Sequence, residues 1–406
     1  MGSSDGISIA VIGGGIGGLT AALCLRQIGI DVHLYEQARA LREVGAGINV
    51  TPNATRIIHA LGLGEGLAKL GVMPTGVHQR RWDDGRTLLR TSLGTEIEGH
   101  FGFRQYQSHR ADVLNMLIDA FPPDRLHAGH RLVSFRQRSD EVEAQFENGV
   151  RVTADALIGA DGIHSTVQRL LFGEASPHFT GCAAYRGLVP AEKVAHLDLE
   201  VVHQITLGPG SHFVNYFVAN KRLVNFVGVI EQANWSKESW TERGDLAQAR
   251  AAFAGWHKQV RGLLDAVEET FIWGLFDRAP LPRWSVGRVT VLGDACHPML
   301  PFMAQGAAQA MEDAITLMAC LRKIANIPQA LAYYQELRLP RTSQVQSLAA
   351  ANKMRFHLPD GPEQAARDAK MAAGGTDWSL KTIGWLYGHD AEAAVESGNL
   401  GLPPAS

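Results

Sequence analysis

Residues 7–37 read ISIAVIGGGIGGLTAALCLRQIGIDVHLYEQ, and this stretch decides the fold of the chain. A β-rich apolar run at residues 7–12 is followed by three glycines at the spacing G-x-G-x-x-G, namely Gly13, Gly15 and Gly18. A run of helical periodicity comes next, and a second apolar strand at residues 31–35 ends in Glu36. The pattern predicts a strand, a glycine turn, a helix and a second strand that ends in an acid.

Each glycine of this unit, and its terminal acid, has a distinct predicted role in binding a dinucleotide. Gly13 permits the tight turn, Gly15 lets the backbone approach a pyrophosphate, and Gly18 lets the helix pack against the strand. Glu36 can accept hydrogen bonds from both hydroxyl groups of a ribose. The helix N-terminus adds free N–H groups and a partial positive charge for the phosphates. The unit therefore predicts a dinucleotide site, but it does not separate NAD from FAD.

The composition is that of a globular protein whose partners are small molecules. The 406 residues are 46% apolar and 19% charged, which is enough for a large core divided into two or three lobes. The net charge of −3, with no basic block, argues against a nucleic-acid partner. The N-terminus has no basic segment before its apolar run, and no apolar run has the length needed to cross a bilayer. We therefore expect a cytoplasmic protein without a membrane partner.

The cysteines indicate neither disulfides nor a metal site. The chain has four, at Cys24, Cys182, Cys296 and Cys320, with no C-x-x-C pair and no metal-ligand spacing. We interpret them as small buried hydrophobic residues in a reducing compartment. The neighbours Cys296 and His297 are interpreted as structural residues rather than as a nucleophilic thiol–imidazole pair.

The periodicity along the chain predicts an α/β fold, with a Rossmann-like nucleotide-binding domain, an inserted β-sheet substrate domain and C-terminal helices. The nucleotide-binding domain is expected in three segments, at 1–76, 108–178 and 276–355. The substrate domain is expected as a hairpin at 77–107 and a β-sheet at 179–275, and a C-terminal tail follows at 356–406. Long helices are predicted at 304–324 and 327–352.

Further charged residues fall where ligands bind in open α/β sheets. An apolar strand runs into Asp161-Gly162 before a helix, and the strand at 289–292 delivers Gly293-Asp294. Arg110 falls in the first turn of a predicted helix, where a cation is unfavourable for the helix dipole. Arg110 is therefore either a residue that serves an anion or a planar ring, or a solvated surface arginine.

Three motifs, in this order and spacing, resemble the fingerprints of the single-component flavoprotein aromatic hydroxylases. They are GGGIGG with its downstream Glu36, LIGADGIHS at 157–165, and VLGDACHPMLPFMAQGAAQAMEDA at 291–314. Within this family, the chain is most similar to the salicylate hydroxylase and 6-hydroxynicotinate 3-monooxygenase type. The similarity lies in HPMLPFMAQGA within the third motif, in EVGAGI at 43–48 and in YRG at 185–187. The resemblance covers about residues 7–350. It implies FAD as the cofactor and NADH or NADPH and O2 as co-substrates. The implied substrate is a small phenolic or hydroxypyridine carboxylate, which a flavin C4a-hydroperoxide hydroxylates. The implied protein is a monomer or homodimer.

The resemblance also implies roles for individual residues. The residues expected to bind FAD are Gly13, Gly15, Gly18, Glu36, Gln37, Gly47, Arg110, Asp161, Asp294, Gly306 and Ala307. Asp161 would lie in a loop shared by FAD and the nicotinamide, and Asp294 would bind ribityl or ribose hydroxyls. The helix from Ala304 would point its positive end at the flavin, where negative charge grows on reduction. The residues expected near the substrate are Asn49, His212, Tyr216 and Pro298.

His212 and Tyr216 are the expected catalytic pair. They lie four apart in the predicted strand HFVNY, so they face the same side, and they match the His-x-x-x-Tyr of the hydroxynicotinate enzymes. They would orient the ring hydroxyl of the substrate and assist its deprotonation, with His212 as the base. Asn49 stands where those enzymes have a histidine. The alternative is that His212 and Tyr216 are ordinary strand residues.

Other activities share the same architecture. Flavin halogenases carry a W-x-W-x-I-P signature that this chain lacks, whereas an FAD-dependent reductase remains an alternative. A ligand carrier that has lost its cofactor is a further alternative, against which the intact glycines, Glu36 and Asp294 argue.

Overall fold

The computed structural model describes residues 6–41, 46–174, 177–233, 235, 242–374 and 379–404, so Glu43 to Gly45 of the EVGAGI motif lie outside the described residues. The strands are β1 (Ser8–Ile12), β2 (Asp31–Glu36), β3 (Gly47–Val50), β4 (Gly76–Arg81), β5 (Thr87–Ser92), β6 (Tyr106–His109), β7 (Leu126–Ala128), β8 (Leu132–Gln137), β9 (Val142–Phe146), β10 (Arg151–Ala154), β11 (Ala156–Gly159), β12 (His178–Pro190), β13 (His203–Gly208), β14 (Ser211–Val218), β15 (Leu223–Glu231), β16 (Arg243–Gly244), β17 (Thr270–Asp277), β18 (Ser285–Val286) and β19 (Val289–Val291). The helices are α1 (Ile16–Gln27), α2 (Pro52–Ala60), α3 (Gly64–Leu70), α4 (Gly94–Phe101), α5 (Arg110–Ala120), α6 (Thr166–Phe172), α7 (Leu246–Ala252), α8 (Lys258–Ala266), α9 (Gly306–Lys323), α10 (Ile327–Phe356), α11 (Pro362–Ala372), α12 (Gly384–Tyr387) and α13 (Ala393–Ser397).

The first lobe is built on a mostly parallel sheet with the strand order β18-β19-β11-β1-β2-β7. The pairs among β19, β11, β1, β2 and β7 are parallel, and only β18 joins antiparallel. Parallel strands are covered on both faces, which explains their continuous apolar runs. Helices α1, α5, α9 and α10 supply the covering side chains of the common core. This is the Rossmann-like sheet that the sequence predicts.

The parallel arrangement brings the predicted motifs to one edge of the sheet. In register, Ile12 pairs with both Tyr35 and Gly159, and Gly159 pairs with Val291. The carboxyl ends of these neighbouring strands therefore meet, and each continues directly into one of the motifs. Those motifs are the glycine turn, Glu36, the Asp161 loop and the Gly293-Asp294 turn.

The second lobe is an eight-stranded, mostly antiparallel sheet with the order β16-β17-β12-β15-β14-β13-β4-β5. Alternation along the strands gives it two different faces. One face packs through Phe213 and Phe226 against α7, α8 and Phe253, which follows α7. The other packs through Leu207, Val229 and Trp273 against the segment at residues 300–303, which leads into α9. The sheet therefore presents its second face toward the first lobe.

Two elements differ from the sequence expectations. Helix α9 begins at Gly306 rather than at residue 304, because Ala304 has a left-handed backbone with φ 51°. The segment after residue 356, expected as a tail, contains α11, α12 and α13. Arg341 holds it by donating hydrogen bonds to the carbonyl oxygens of Trp385 (3.1 Å) and Leu386 (3.0 Å). Among the described residues, no helix combines the length and apolar character that a membrane span needs.

Candidate active site

The three glycines of the first turn have the separate environments that their predicted roles require. Gly13 has φ 110°, and a methyl group there would lie 2.3 Å from the carbonyl oxygen of Ala160. A methyl group at Gly18 would lie 2.0 Å from the carbonyl oxygen of Gly13. At Gly15, the residue before α1, a methyl group would have no described atom within 4 Å. Two glycines therefore maintain close packing, whereas Gly15 faces open space at the N-terminus of a helix.

Glu36 lies beside this turn with acceptor capacity to spare. One carboxylate oxygen accepts a hydrogen bond from the Gly14 N–H at 2.7 Å, and the other accepts one from the Ala38 N–H at 2.8 Å. A carboxylate has about four acceptor positions, so two remain for hydroxyl groups of a ligand. Gln37 follows Glu36 and is exposed.

Asp294 forms the opposite side of the site. Its side chain is exposed, and within the described part of the chain its carboxylate has no hydrogen-bond partner. A methyl group at Gly306 would lie 3.9 Å from Asp294 Oδ1, so the carboxylate is close to the first turn of α9. Gly306 and Ala307 are half-buried in that turn, whose N–H groups lack partners within the helix.

The N-termini of α1 and α9 lie next to each other. A methyl group at Gly17 would be 3.1 Å from the Cβ of Ala310, so the first turn of α1 is in contact with the second turn of α9. Their partial positive charges therefore act on the same region. Two helix N-termini, open space at Gly15 and carboxylates for hydroxyl groups on both sides make a set of donors and acceptors that fits FAD.

The carboxylate of Asp161 makes local hydrogen bonds, and the place of its loop at the cofactor stays a prediction. Its carboxylate accepts hydrogen bonds from the hydroxyl of Ser165 and from the N–H groups of Thr166 (2.7 Å) and Val167 (3.2 Å). Burial raises the pKa of Asp161, and these hydrogen bonds oppose that rise. The carboxylate caps α6 and holds the loop in place, with three of its about four acceptor positions occupied.

Arg110 is the first residue of α5. Its N–H donates a hydrogen bond of 2.8 Å to the carbonyl oxygen of Ala46, and its side chain is half-buried. Ala46 directly precedes β3, so this bond ties the start of α5 to the strand that carries Gly47.

His212 and Tyr216 share one face of β14, as their spacing predicts. Val214, which lies between them on that face, packs with the core beside residues 300–303, whereas Phe213 and Phe217 pack on the opposite face. The His212 ring lies 5.0 Å from the Phe302 ring, edge to face. His212 Nδ1 is 2.7 Å from His357 Nε2. The catalytic roles of His212 and Tyr216 stay predictions.

Tyr216 is in direct contact with β3. A methyl group at Gly47 would lie 2.6 Å from the Tyr216 hydroxyl oxygen, and the Gly47 N–H donates to Asn225 Oδ1 at 2.7 Å. The ring of His203 stacks on Tyr216 with the centroids 5.2 Å apart. Gly47, expected at the cofactor, and Tyr216, expected at the substrate, are therefore neighbours. Asn49 follows on the same strand, buried, with Gln105 Nε2 at 3.5 Å from its Oδ1.

Pro298 is not brought together with these residues. It is buried, and its carbonyl oxygen accepts a hydrogen bond of 2.9 Å from Gln346 Nε2. The cleft that it lines, of about 370 Å³, is bordered on other sides by Arg278, and neither His212 nor Tyr216 is among its described lining residues.

A buried ionic cluster that the sequence analysis does not predict lies beneath the site. Glu312 accepts hydrogen bonds from Arg338 (2.6 Å), Arg341 (2.7 Å) and Asn53 (2.6 Å). Asp313 accepts from Arg338 at 2.8 Å and lies 2.6 Å from His297 Nε2. All of these side chains are buried.

The cluster fixes the start of α9. Asn53 Nδ2 also donates to Gln305, the residue that precedes the helix, at 3.1 Å. Although burial opposes ionisation, the guanidinium groups of Arg341 and Arg338 hold the pKa of Glu312 well below its usual range. His297 and Arg338 lower the pKa of Asp313 in the same way against the effect of burial. The available signal was a pair of acids inside an otherwise apolar helix, which requires buried partners.

The comparisons with known proteins agree with this geometry. The family described as "FAD binding domain" matches residues 7–349. A 3-amino-4-hydroxybenzoate 2-monooxygenase of Streptomyces platensis is 40% identical over 94% of this chain and 96% of its own. A 6-hydroxynicotinate 3-monooxygenase of Pseudomonas fluorescens is 36% identical over 85% of this chain and 90% of its own. The solved structure of a salicylate hydroxylase substrate complex superposes with a TM-score of 0.82 at 29% identity and covers 100% of both chains.

These relatives confirm the predicted resemblance, the fold class and FAD as the cofactor. The aminohydroxybenzoate enzymes, which the sequence analysis did not consider, share more identity with this chain than the hydroxynicotinate enzymes do. On these grounds the protein belongs to the FAD-binding-domain family, alongside the FAD-dependent monooxygenases of aromatic compounds.

Proposed function

We propose that this protein hydroxylates a small phenolic or hydroxypyridine carboxylate with O2 and NADH or NADPH. The names of its relatives support an aromatic acid that carries a ring hydroxyl, and 3-amino-4-hydroxybenzoate is the first compound to test. FAD, when bound, would supply the oxygen transfer through the C4a-hydroperoxide that the family resemblance implies. The protein has to bind, orient and deprotonate the substrate.

The cofactor would be held at the edge where the strand ends meet. Gly15 and the first turns of α1 and α9 would receive the phosphates and the developing negative charge of the flavin. Glu36 and Asp294 would accept hydrogen bonds from sugar and ribityl hydroxyls. The roles of Gln37, Gly47 and Arg110 at the cofactor rest on the family resemblance alone.

One observation carries the proposal for the substrate. The side chains of Tyr216 and His212 lie on the same face of β14, and within the described residues neither the Tyr216 hydroxyl nor His212 Nε2 makes a hydrogen bond. Both side chains are buried, at 4% and 2% exposure. Polar groups in a protein interior normally have partners, and a ligand with polar ring substituents would supply them at this face of the sheet.

The protonation states of the two side chains suit this task. Burial raises the pKa of Tyr216, which keeps the phenol protonated and able to donate a hydrogen bond. Burial, with a smaller contribution from His357, lowers the pKa of His212 well below its ordinary value, which keeps the imidazole neutral with a lone pair free, although it disfavours a proton that stays on the ring. We propose that Tyr216 orients the substrate oxygen and that His212 takes its proton, because an oxyanion directs electron density to the ring carbon that is hydroxylated.

The test is ligand-stimulated oxidation of NADH and NADPH. We expect slow oxidation by the protein alone and faster oxidation with an aromatic ligand, because substrate binding gates flavin reduction in the enzymes that this chain resembles. Stopped-flow reduction should be measured with aminohydroxybenzoates, hydroxybenzoates and hydroxypyridine carboxylates, together with O2 consumption and product mass. Rates that are indifferent to every ligand of these classes would contradict the proposal.

A further inference from the structure

A chain of hydrogen bonds connects His212 to the surface of the protein. His212 Nδ1 lies 2.7 Å from His357 Nε2, and His357 Nδ1 lies 3.2 Å from Glu231 Oε1. His212 is 2% exposed and His357 is 5% exposed, whereas the side chain of Glu231 is 51% exposed. Three side chains therefore cover the whole distance from the buried sheet face to solvent.

The backbone holds the three residues in this order. His212 is near the start of β14, Glu231 ends the neighbouring strand β15, and His357 follows the last residue of α10. The carbonyl oxygen of His357 accepts a hydrogen bond of 3.1 Å from the Gly210 N–H, and the Gly210 carbonyl oxygen accepts one of 2.9 Å from Glu231. The turn between β13 and β14 thus holds the backbone of both His357 and Glu231. The positions of these two residues therefore do not depend on their side-chain hydrogen bonds alone.

Besides His357, two phenyl rings contact the His212 ring. Phe302 and Phe356 contact it edge to face, with centroid distances of 5.0 and 5.2 Å. Among the described residues, His357 is the only hydrogen-bonding partner of the ring. A proton that arrives at His212 Nε2 therefore has one protein route outward, through Nδ1.

We propose that His357 and Glu231 form a proton relay that carries the substrate's hydroxyl proton from His212 to solvent; this rests on the proposed function of His212. The substrate O–H bond breaks, its electron pair stays on oxygen, and the proton binds His212 Nε2. The proton on His212 Nδ1 passes to His357 Nε2, and the proton on His357 Nδ1 passes to Glu231 Oε1 and then to water. The return of a proton to the product oxygen along the same path restores both tautomers. His357 and Glu231 act through His212, as positioning residues.

The surroundings explain why a relay is needed. A proton that stayed on His212 would create a cation in a buried aromatic site, which is unfavourable. Burial lowers the pKa of His357 as well. The charged groups that face His357 are Glu231, which favours its protonated form, and Lys353, which opposes it. Passing the proton on to the half-exposed Glu231 leaves neither buried ring charged.

The experiment follows proton transfer without turnover. The FAD-loaded protein is mixed with 3-amino-4-hydroxybenzoate, and ionisation of the bound phenol is followed by its absorbance after a stopped-flow jump from neutral to alkaline pH. The variants are His357→Gln and Glu231→Gln, which keep hydrogen-bonding groups but cannot relay a proton. Glu268→Gln is the control, because Glu268 is an exposed glutamate paired with Lys193 in another part of the lobe.

We expect ionisation in the wild type and in Glu268→Gln to be fast and independent of buffer concentration. In both relay variants it should be at least about tenfold slower and should accelerate with added buffer, since general acid–base steps contribute about 100- to 10,000-fold. Wild-type rates without buffer dependence in both variants would overturn the relay. If His357→Gln loses FAD because it folds poorly, the exposed Glu231→Gln still decides. No NADH or NADPH is present, so failure of ligand-stimulated oxidation, which would contradict the proposed function, is a separate outcome.

Discussion

The two glycines at either side of the α1 N-terminus offer a test that separates the fold from the cofactor site. Gly15→Ala and Gly18→Ala each add one methyl group, three residues apart in the same turn. At Gly15 the methyl group enters open space, whereas at Gly18 it lies 2.0 Å from a backbone carbonyl oxygen. The same chemical change should therefore have opposite consequences.

The expected magnitudes follow from these surroundings. Gly18→Ala overpacks a contact with backbone that cannot rotate away, so we expect a loss of about 1–3 kcal/mol or more in unfolding free energy. Gly15 has φ −74°, which an alanine adopts without strain. Alanine has less conformational entropy than glycine in the unfolded chain, which stabilises the folded state by about 0.4–1 kcal/mol. This gain offsets the loss that comes from alanine being a slightly poorer helix cap. The apoprotein of Gly15→Ala should thus keep the wild-type stability within about 0.5 kcal/mol.

FAD affinity, in contrast to stability, should depend strongly on the substitution at Gly15. The Gly15 methyl group occupies the space through which the pyrophosphate approaches the helix N-terminus. Loss of one charge-assisted hydrogen bond, about 1.5–3 kcal/mol, weakens FAD binding roughly tenfold to a hundredfold. Urea unfolding of the apoprotein and its titration with FAD measure the two quantities. Wild-type FAD affinity in Gly15→Ala, or an equal loss of stability in both variants, would refute the assignment of the turn.

Three further predictions address the rest of the site. Asp294→Ala should weaken FAD binding by about 1.5–3 kcal/mol while the apoprotein stays folded, because its carboxylate supports no other described group; unchanged affinity in the FAD titration would sink the role. His212→Gln should retain FAD but divert NADH or NADPH oxidation to H2O2, measured as coupling of oxidation to product, with exposed His196→Gln as the control; full coupling would rule out His212 as the base. Arg338→Met should cost about 3–5 kcal/mol in urea unfolding, since it leaves Glu312 and Asp313 buried with less compensation, whereas Arg322→Met, on the exposed face of α9, should cost under about 1 kcal/mol. The folded-state pKa values of Glu312 and Asp313 are lowered, so their stabilisation is complete above the unfolded values of about 4.3 and 3.9, respectively, and is lost as pH falls from there through the lowered folded values. The stability deficit of Arg338→Met should therefore narrow on acidification, and a deficit that stays constant would contradict the ionic role.

The part of the site that sequence reasoning predicts is the part made by strand ends. Parallel strands place their carboxyl ends at one edge, so a motif that follows a strand lies near every other such motif, as the glycine turn and Asp294 do. Two-residue alternation likewise places His212 and Tyr216 on one face without any knowledge of the rest of the fold.

The sequence does not predict which side chains pair when they lie far apart in the chain. The carboxylate of Asp161 accepts hydrogen bonds from Ser165 and from the first turn of α6. A family motif marks the position of Asp161 but does not show that these local groups use its oxygen atoms. The pairing of Glu312 with Arg338 joins two helices whose mutual orientation depends on packing. His357 lies beyond the family match at residues 7–349 and in a segment expected to be a tail, so no motif pointed to its contact with His212.

The strand order of the first sheet has a consequence for biosynthesis. β1 leaves the ribosome well before its neighbours β11 and β19, which begin at residues 156 and 289. At about 5–20 residues per second, translation separates Gly13 from Gly306 by roughly 15–60 s. During that interval the glycine turn has no second helix N-terminus beside it, and an apolar central strand lacks one flank. We expect nascent chains stalled before β19 to bind chaperones and to take up no flavin, so insertion of the cofactor is a late event in the production of this protein.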